Sequence, residues 1–176
     1  MSRDDLVVVA DPVLEYIHNS VGATVHLVVR EGQDVIYLSG LEYSETALRV
    51  GLRIGQRMPA YCTASGRALL ADLPNHEVES LYRRGLPPWS SARLATLTAL
   101  KRRLATVRKD GYASSFHETE HGVVSFAVAV AEGRQPVCSI AVAMPSVRYR
   151  RPDTPRYAAA LMEGARHLRA RLGDLP

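Results

Sequence analysis

The most informative segment of the sequence is Gly55-Gln56-Arg57-Met58-Pro59-Ala60-Tyr61-Cys62-Thr63-Ala64-Ser65-Gly66-Arg67-Ala68-Leu69-Leu70-Ala71. Its pattern is typical of a loop that turns into a helix near Thr63. Ala64, Ser65 and Gly66 follow, and their side chains are too small to cover the helix start. Free backbone N–H groups and the positive dipole end make such a start a site for anions. The stretch therefore predicts that a small anion, such as a carboxylate, can approach the backbone closely.

A second small-residue segment, Gly111-Tyr112-Ala113-Ser114-Ser115, is followed by Gly122-Val123-Val124-Ser125-Phe126-Ala127-Val128. The first part is typical of a loop or an edge segment, and the second of a buried strand. Two such segments, each at the mouth of a regular element, favour a receptor for a small anionic molecule over a catalyst.

Composition restricts the class of protein. The chain has 176 residues, 47% hydrophobic and 23% charged, which favours one globular domain. No apolar run reaches the roughly 18–20 residues that span a bilayer. The acidic start Met-Ser-Arg-Asp-Asp does not resemble a signal peptide, and two cysteines, Cys62 and Cys138, make no disulfide framework. We expect a cytoplasmic protein without a membrane partner.

The net charge is +4 with a pI near 9.3, but the arginines are spread along the chain. The densest group is Arg148, Arg150, Arg151 and Arg156, which we interpret as a solvated basic rim near a helix start. The sequence has no helix-turn-helix candidate, no zinc-finger spacing and no aromatic-basic RNA signature. Direct DNA binding by these residues is not expected.

The first part of the chain predicts a helix followed by a hairpin. Val13, Ile17 and Val21 recur at spacing four, and Pro12 suits a first turn, so a helix is predicted over residues 11–21. Alternation predicts strands over residues 23–30 and 35–38, joined by the turn at 31–34. Residues 45–50 are predicted as a weaker third strand.

The remainder predicts helices before and after a second hairpin. The predicted elements are helices over 63–72 and 75–84, a helix with Thr96 as N-cap that ends at Asp110-Gly111, strands over 123–130 and 137–144, and a final helix from Pro155. Because strands and helices are partly segregated, the order indicates an α+β fold with an antiparallel sheet and helices packed on it.

Three ordered blocks carry a resemblance to a known family. They are Gly55…Met58-Pro59-Ala60…Thr63 to Ala71; Gly111-Tyr112-Ala113…Glu118…Gly122-Val123…Ser125-Phe126-Ala127; and Ala141-Val142-Ala143-Met144-Pro145…Arg148. Together they resemble the C-terminal effector-binding domain of the IclR-type transcriptional regulators. The resemblance runs from about Asp11 to Leu172, nearly the whole chain.

The resemblance implies a GAF-like α+β domain that senses a small metabolite and controls transcription. Residues 1–176 would then be one effector-binding domain with its core over about 11–172. It also implies self-association to dimers or tetramers. In such regulators a winged helix-turn-helix domain precedes this region and holds the DNA. No such domain is expected within these 176 residues. DNA would therefore be a partner only through a separate winged helix-turn-helix domain.

The resemblance also implies an effector site. Its residues would be Ala64, Ser65 and Gly66 at the helix start, the hydroxyls of Ser115 and Ser125, and an apolar wall of Val50, Ala141 and Ala143. Ser115 stands where the family often has an acidic residue, Ser125 where it often has cysteine, and Ala141 where a hydroxyl occurs. We therefore expect a roomier, less acidic pocket, suited to a larger organic acid such as an aromatic acid.

Two other functions remain open at this stage. His117-Glu118-Thr119-Glu120-His121 fits H-E-x-x-H, in which two histidines on a helix bind zinc and the glutamate acts as base. His117 and His121 would be the metal ligands of a small zinc-dependent hydrolase, although the surrounding residues predict barely one helical turn. The second alternative is a pure oligomerisation module. No cofactor motif is found, and Cys62 is interpreted as a core thiol.

Overall fold

The computed structural model describes residues 1–175. In chain order its elements are α1 (Arg3–Val21), β1 (Thr24–Glu31), β2 (Asp34–Leu41), β3 (Arg57–Pro59), α2 (Ala64–Ala71), α3 (Asn75–Leu81), α4 (Leu97–Asp110), β4 (Ala113–Phe116), β5 (Val123–Glu132), β6 (Gln135–Pro145) and α5 (Thr154–Gly173). Short 3₁₀ helices cover Ala60–Cys62 and Arg151–Asp153. Within the described residues, no helix has the length and apolar character needed to cross a bilayer.

All the strands belong to one sheet in the order β3-β2-β1-β6-β5-β4, and every neighbouring pair is antiparallel. The hairpins β1–β2 and β5–β6 were predicted from alternation and turn residues. The sheet joins them through β1 and β6, which pair His26 with Ala141 and Thr24 with Ala143. The α+β prediction is confirmed.

One face of the sheet packs against α1 and α5. Alternate residues of β5 and β6 point there, among them Val124, Phe126, Ile140 and Val142, and all are buried. These branched and aromatic side chains fill the layer between sheet and helices, as expected for a half-buried pleated surface.

The opposite face packs against α2 and α4. There the same strands present small side chains, including Ser125, Ala127, Ala141 and Ala143. Every residue of α2 is buried, so this short helix is inserted between the sheet and α4. The small strand residues leave room for it.

The first helix begins earlier than predicted. It starts at Arg3, because Ser2 caps it and Asp5 completes a capping box with the Ser2 backbone. Pro12 therefore lies inside α1, and the assignment of Pro12 to a first turn is wrong. The cap was overlooked because the apolar periodicity is clearest after residue 11.

The predicted strand over residues 45–50 is also wrong. That segment is irregular, and β3 forms later, with Met58 opposite Val35 of β2. The reason is a bond outside any strand ladder: the Thr24 hydroxyl donates to the Val50 carbonyl at 2.7 Å. A side chain thus holds this segment against the start of β1.

Other boundaries agree more closely. Thr63 and Thr96 cap α2 and α4 as predicted, while α3 ends at Leu81 rather than residue 84. In the basic group, Arg148 and Arg156 donate to the carbonyls of Gly22 and Val21, at the C-terminal end of α1. Cations are favourable there because that end of the helix dipole is negative.

Candidate functional site

The start of α2 keeps backbone donors available. The Thr63 hydroxyl accepts the Gly66 N–H at 3.0 Å, which satisfies one of the first amides. The amides of Ala64 and Ser65 donate no hydrogen bond within the described part of the chain. They are the free donors that the sequence predicted at this place.

Gly66 has a different role from the one predicted. A Cβ atom at this position would lie 2.1 Å from the Ala60 carbonyl oxygen, so only glycine fits. Its amide is already bound to Thr63. Gly66 therefore lets α2 approach the preceding 3₁₀ turn and does not line the cavity described next.

A small cavity lies between the start of α2 and strands β1, β5 and β6. We call it the inner recess, and its volume is about 20 Å³, room for roughly one water molecule. Its lining is His26, Tyr37, Arg53, Ala64, Ser65, Thr119, Val123, Ser125, Ala141 and Ala143. No carboxylate belongs to this lining.

A larger cavity, which we call the outer groove, borders the inner recess. Its volume is about 570 Å³, and it lies between the irregular segment 48–56 and residues 120–123 and 145–147. Arg53 and Val123 line both cavities. These two residues therefore form the boundary between the inner recess and the outer groove.

The structure brings together five of the eight predicted site residues: Ala64, Ser65, Ser125, Ala141 and Ala143 all line the inner recess. Besides Gly66, two others lie elsewhere. Val50 lines the outer groove, because the bond from Thr24 holds it at the edge of the sheet. The Ser115 hydroxyl is buried against Thr119 at 3.3 Å, and Thr119 stands between it and the recess.

Five lining residues were not predicted: His26, Tyr37, Arg53, Thr119 and Val123. His26 could have been found, since alternation in β1 places it on the face opposite Val25 and Leu27. Arg53 carries no such signal, because it lies in a segment without regular structure.

His26 is a neutral hydrogen-bond acceptor. Its Nε2 accepts the backbone N–H of Arg53 at 3.0 Å, and its ring meets the edge of Tyr37 with centroids 4.9 Å apart. Burial, assisted by the Arg53 charge, lowers the pKa of His26 to about 4. Burial raises the pKa of Tyr37 to about 12, so its hydroxyl stays protonated.

Arg53 forms an ion pair with Glu120 across the mouth of the inner recess. The Arg53 side chain is 14% exposed, whereas that of Glu120 is 57% exposed. The pair joins the irregular segment after β2 to the loop between β4 and β5.

A buried ion pair joins α2 to the loop between β4 and β5. Arg67 is fully buried and donates to the carbonyls of Tyr61 and Ser114 at 3.0 and 2.9 Å, and to Glu118 at 2.6 Å. The second carboxylate oxygen of Glu118 has no partner within residues 1–175. This pair fixes the β4–β5 loop against α2.

The H-E-x-x-H segment does not form the geometry that zinc hydrolysis requires. Residues 117–121 are not helical, and His117 has a positive φ of 59°. Its Nδ1 accepts the Gly122 N–H at 2.9 Å, while Glu118 turns inward to Arg67. Over the described residues, no three His, Cys, Asp or Glu side chains are grouped around one position.

Cys62 is buried next to the start of α2. Burial raises the pKa of its thiol to about 12, so the thiolate needed for nucleophilic attack is not formed near neutral pH. The structure thus agrees with the interpretation of Cys62 as a core thiol.

Comparisons with known proteins identify the family. The family described as Bacterial transcriptional regulator IclR C-terminal matches residues 1–170. The HTH-type transcriptional regulator TtgV of Pseudomonas putida is 34% identical over 147 residues, which cover 84% of this chain and 56% of that protein. The chain spans about half to two thirds of the length of the curated relatives it matches.

Solved structures agree with this assignment. The IclR protein of Thermotoga maritima superposes with a TM-score of 0.87 at 26% identity, covering 96% of this chain and 69% of that chain. The C-terminal domain of Escherichia coli KdgR gives 0.84 at 26% identity, covering 96% and 99%. The chain therefore belongs to the IclR C-terminal family of bacterial transcriptional regulators.

Proposed function

We propose that this chain senses a small organic acid on behalf of an IclR-type transcriptional regulator, and that the inner recess is its binding site. One observation carries the proposal. The recess is lined by Ala64 and Ser65, whose amides donate no hydrogen bond within the described residues, and by Arg53, and no carboxylate lines it. A buried anion needs such donors, because burial of an unpaired charge is costly.

The other lining groups favour an acid that also carries polar oxygens. Ser65, Thr119, Ser125 and Tyr37 supply hydroxyls, and Ala141 and Ala143 supply apolar contact. Hydroxyls can donate or accept, so they suit a keto, hydroxy or phenolic oxygen as well as a carboxylate.

The size of the ligand follows from both cavities. At about 20 Å³ the inner recess cannot hold even a small acid without movement, whereas the outer groove offers about 570 Å³. We place the carboxylate in the inner recess and the body of the ligand toward the outer groove. Entry then requires the boundary between the two cavities to open, and a ring-sized acid such as an aromatic acid fits the combined space.

The whole regulator would be longer than this chain. TtgV and KdgR are named as HTH-type transcriptional regulators, so we propose that a winged helix-turn-helix domain binds DNA in the cytoplasm and that this chain self-associates. The ligand would change DNA binding by favouring one arrangement of subunits, which requires unequal affinity for two arrangements. Catalysis has no part in this proposal.

The direct test is a thermal-unfolding screen with lactate, succinate and benzoate, each paired with its amide. A ligand at a hundred times its Kd stabilises the folded state by about 2.7 kcal/mol. We expect at least one acid to raise the Tm while its amide does not. Ala143→Leu, which fills the recess, should abolish the shift, and circular dichroism should show that the variant is folded.

The matched control is Ala170→Leu, at an exposed position on α5. It should respond to the acid as the unmodified chain does. A panel in which no acid stabilises the chain, or a folded Ala143→Leu variant that keeps the full response, would contradict the proposal.

A further inference from the structure

The one arginine that lines the inner recess is already bound to a carboxylate of the same chain. Arg53 lies at the boundary between the recess and the outer groove, and Glu120 contacts it from the β4–β5 loop. Glu120 lines the outer groove and not the recess. A carboxylate thus approaches Arg53 from the same side from which a ligand would enter.

The two partners are held very differently. Arg53 is fixed by its backbone N–H bond to His26 and is 14% exposed at its side chain. The Glu120 side chain is 57% exposed and has no other hydrogen-bond partner within residues 1–175. Glu120 can therefore rotate into water at little cost, because its carboxylate is already more than half exposed and stays hydrated when it leaves Arg53.

Neighbouring charges do not replace Arg53. Arg49 also lines the outer groove, but it lies 3.7 Å from Glu42 and does not reach the recess. Arg67, on α2, is fully buried and bound to Glu118. Arg53 is thus the one guanidinium among the lining residues of the recess.

We propose that Glu120 holds, in the ligand-free chain, the Arg53 guanidinium that the carboxylate of the effector binds from the inner recess. This inference rests on the proposed function. Arg53 selects anionic ligands, and Glu120 sets the concentration at which they bind, because the ligand has to displace it. The exchange releases Glu120 while Glu118 keeps the same loop anchored to α2 through Arg67.

The test compares affinities by calorimetry, using whichever of lactate, succinate or benzoate stabilises the chain, and its amide. Glu120→Gln removes the competing charge and should bind the acid about two- to fivefold more tightly, the range of an exposed ion pair. Arg53→Gln should weaken the acid at least about tenfold, because a charge-assisted hydrogen bond is lost. Neither variant should change the affinity for the amide.

The double variant makes the test specific. If Glu120 acts only through Arg53, then Glu120→Gln does not increase the affinity for the acid in the Arg53→Gln background. Arg53→Lys should recover part of the affinity for the acid. The exposed pair Arg3–Glu31, at 2.8 Å, provides the matched controls Arg3→Gln and Glu31→Gln, which should bind as the unmodified chain does.

The outcomes separate this inference from the proposed function. The exchange at Arg53 is overturned if a folded Glu120→Gln variant binds the acid with unchanged affinity. It is also overturned if Glu120→Gln raises the affinity equally with and without Arg53→Gln. In both cases the proposed sensing of the acid stands. An Arg53→Gln variant that binds the acid normally also overturns the exchange. If the unmodified chain binds none of the acids, both the proposed function and the inference are overturned.

Discussion

The two faces of the sheet differ in what they bury. Against α1 and α5 the strands present Val, Ile, Phe and Met, and the layer is apolar. Against α2 and α4, strands β5 and β6 present mostly Ala and Ser. All buried polar or charged side chains of the described residues lie on this second side: Thr24, His26, Thr63, Ser65, Arg67, Ser115, Glu118, Thr119 and Ser139.

This difference separates stability from recognition. The α1–α5 side gains its free energy from close packing of large side chains. On the α2 side, small side chains leave space that polar groups and the inner recess occupy, and each polar group there needs a partner. We therefore expect changes on the α2 side to be costly through unsatisfied polar groups, and changes on the α1–α5 side through altered volume.

The largest effect should follow from Arg67→Met. The change leaves the buried Glu118 with only the more distant guanidinium of Arg103, at 3.7 Å, and it leaves the Tyr61 and Ser114 carbonyls without their donor. Breaking a buried ion pair costs about 3–5 kcal/mol, which urea unfolding would measure. The exposed Arg102→Met should stay within about 0.5 kcal/mol of the unmodified chain. Equal stability of these two variants would show that the buried pair is not structural.

The next effect is the response to acid. Burial holds the pKa of His26 at about 4 in the folded chain, against 6.5 when unfolded, so the unfolded state binds more protons between these values. Stability should therefore fall as the pH drops from about 6.5 toward 4, by up to about 3 kcal/mol from this group, and be unaffected above that window. His26→Gln should show a shallower loss in parallel urea titrations. Identical pH profiles would remove His26 as the cause.

The α1–α5 side is tested by Gly164→Leu. A Cβ atom there would lie 2.5 Å from Ile17 Cδ1 and 3.2 Å from Val13 Cγ1, so a leucine forces these side chains to repack or the helices to move apart. Overpacking of this kind costs about 1–3 kcal/mol. Gly173→Leu is the control, because nothing lies within 4 Å of its Cβ position. The control should have a higher Tm than Gly164→Leu in thermal unfolding. The reverse order would contradict close packing between α1 and α5.

The smallest effect concerns the cap of α2. Thr63→Ala removes the acceptor of the Gly66 amide and should cost about 1–2 kcal/mol, more than Thr96→Ala at the exposed cap of α4. The difference arises because the Thr63 environment is buried and water cannot replace the lost bond. Denaturant midpoints of the two variants measure it. Equal losses would mean that solvent reaches the start of α2.

Local patterns were enough to predict much of this molecule. The alternation in β1, β5 and β6, the caps Thr63 and Thr96, and the small residues at the start of α2 depend on neighbours in sequence. Five predicted residues consequently line the inner recess. The prediction failed at residues 45–50, because the bond from Thr24 to the Val50 carbonyl crosses more than twenty residues and leaves no periodic signal.

By itself, the sequence determined the antiparallel α+β architecture and the free amides at Ala64 and Ser65, because hydrophobic period and capping are local properties. Which charged side chains form ion pairs depends instead on the tertiary structure. Arg53 contacts Glu120 and Arg67 contacts Glu118, across separations of 67 and 51 residues. Such pairings depend on how the sheet and α2 pack in space. Because of that packing, the two glutamates of the H-E-x-x-H segment differ: Glu118 is buried against Arg67, and Glu120 is largely exposed.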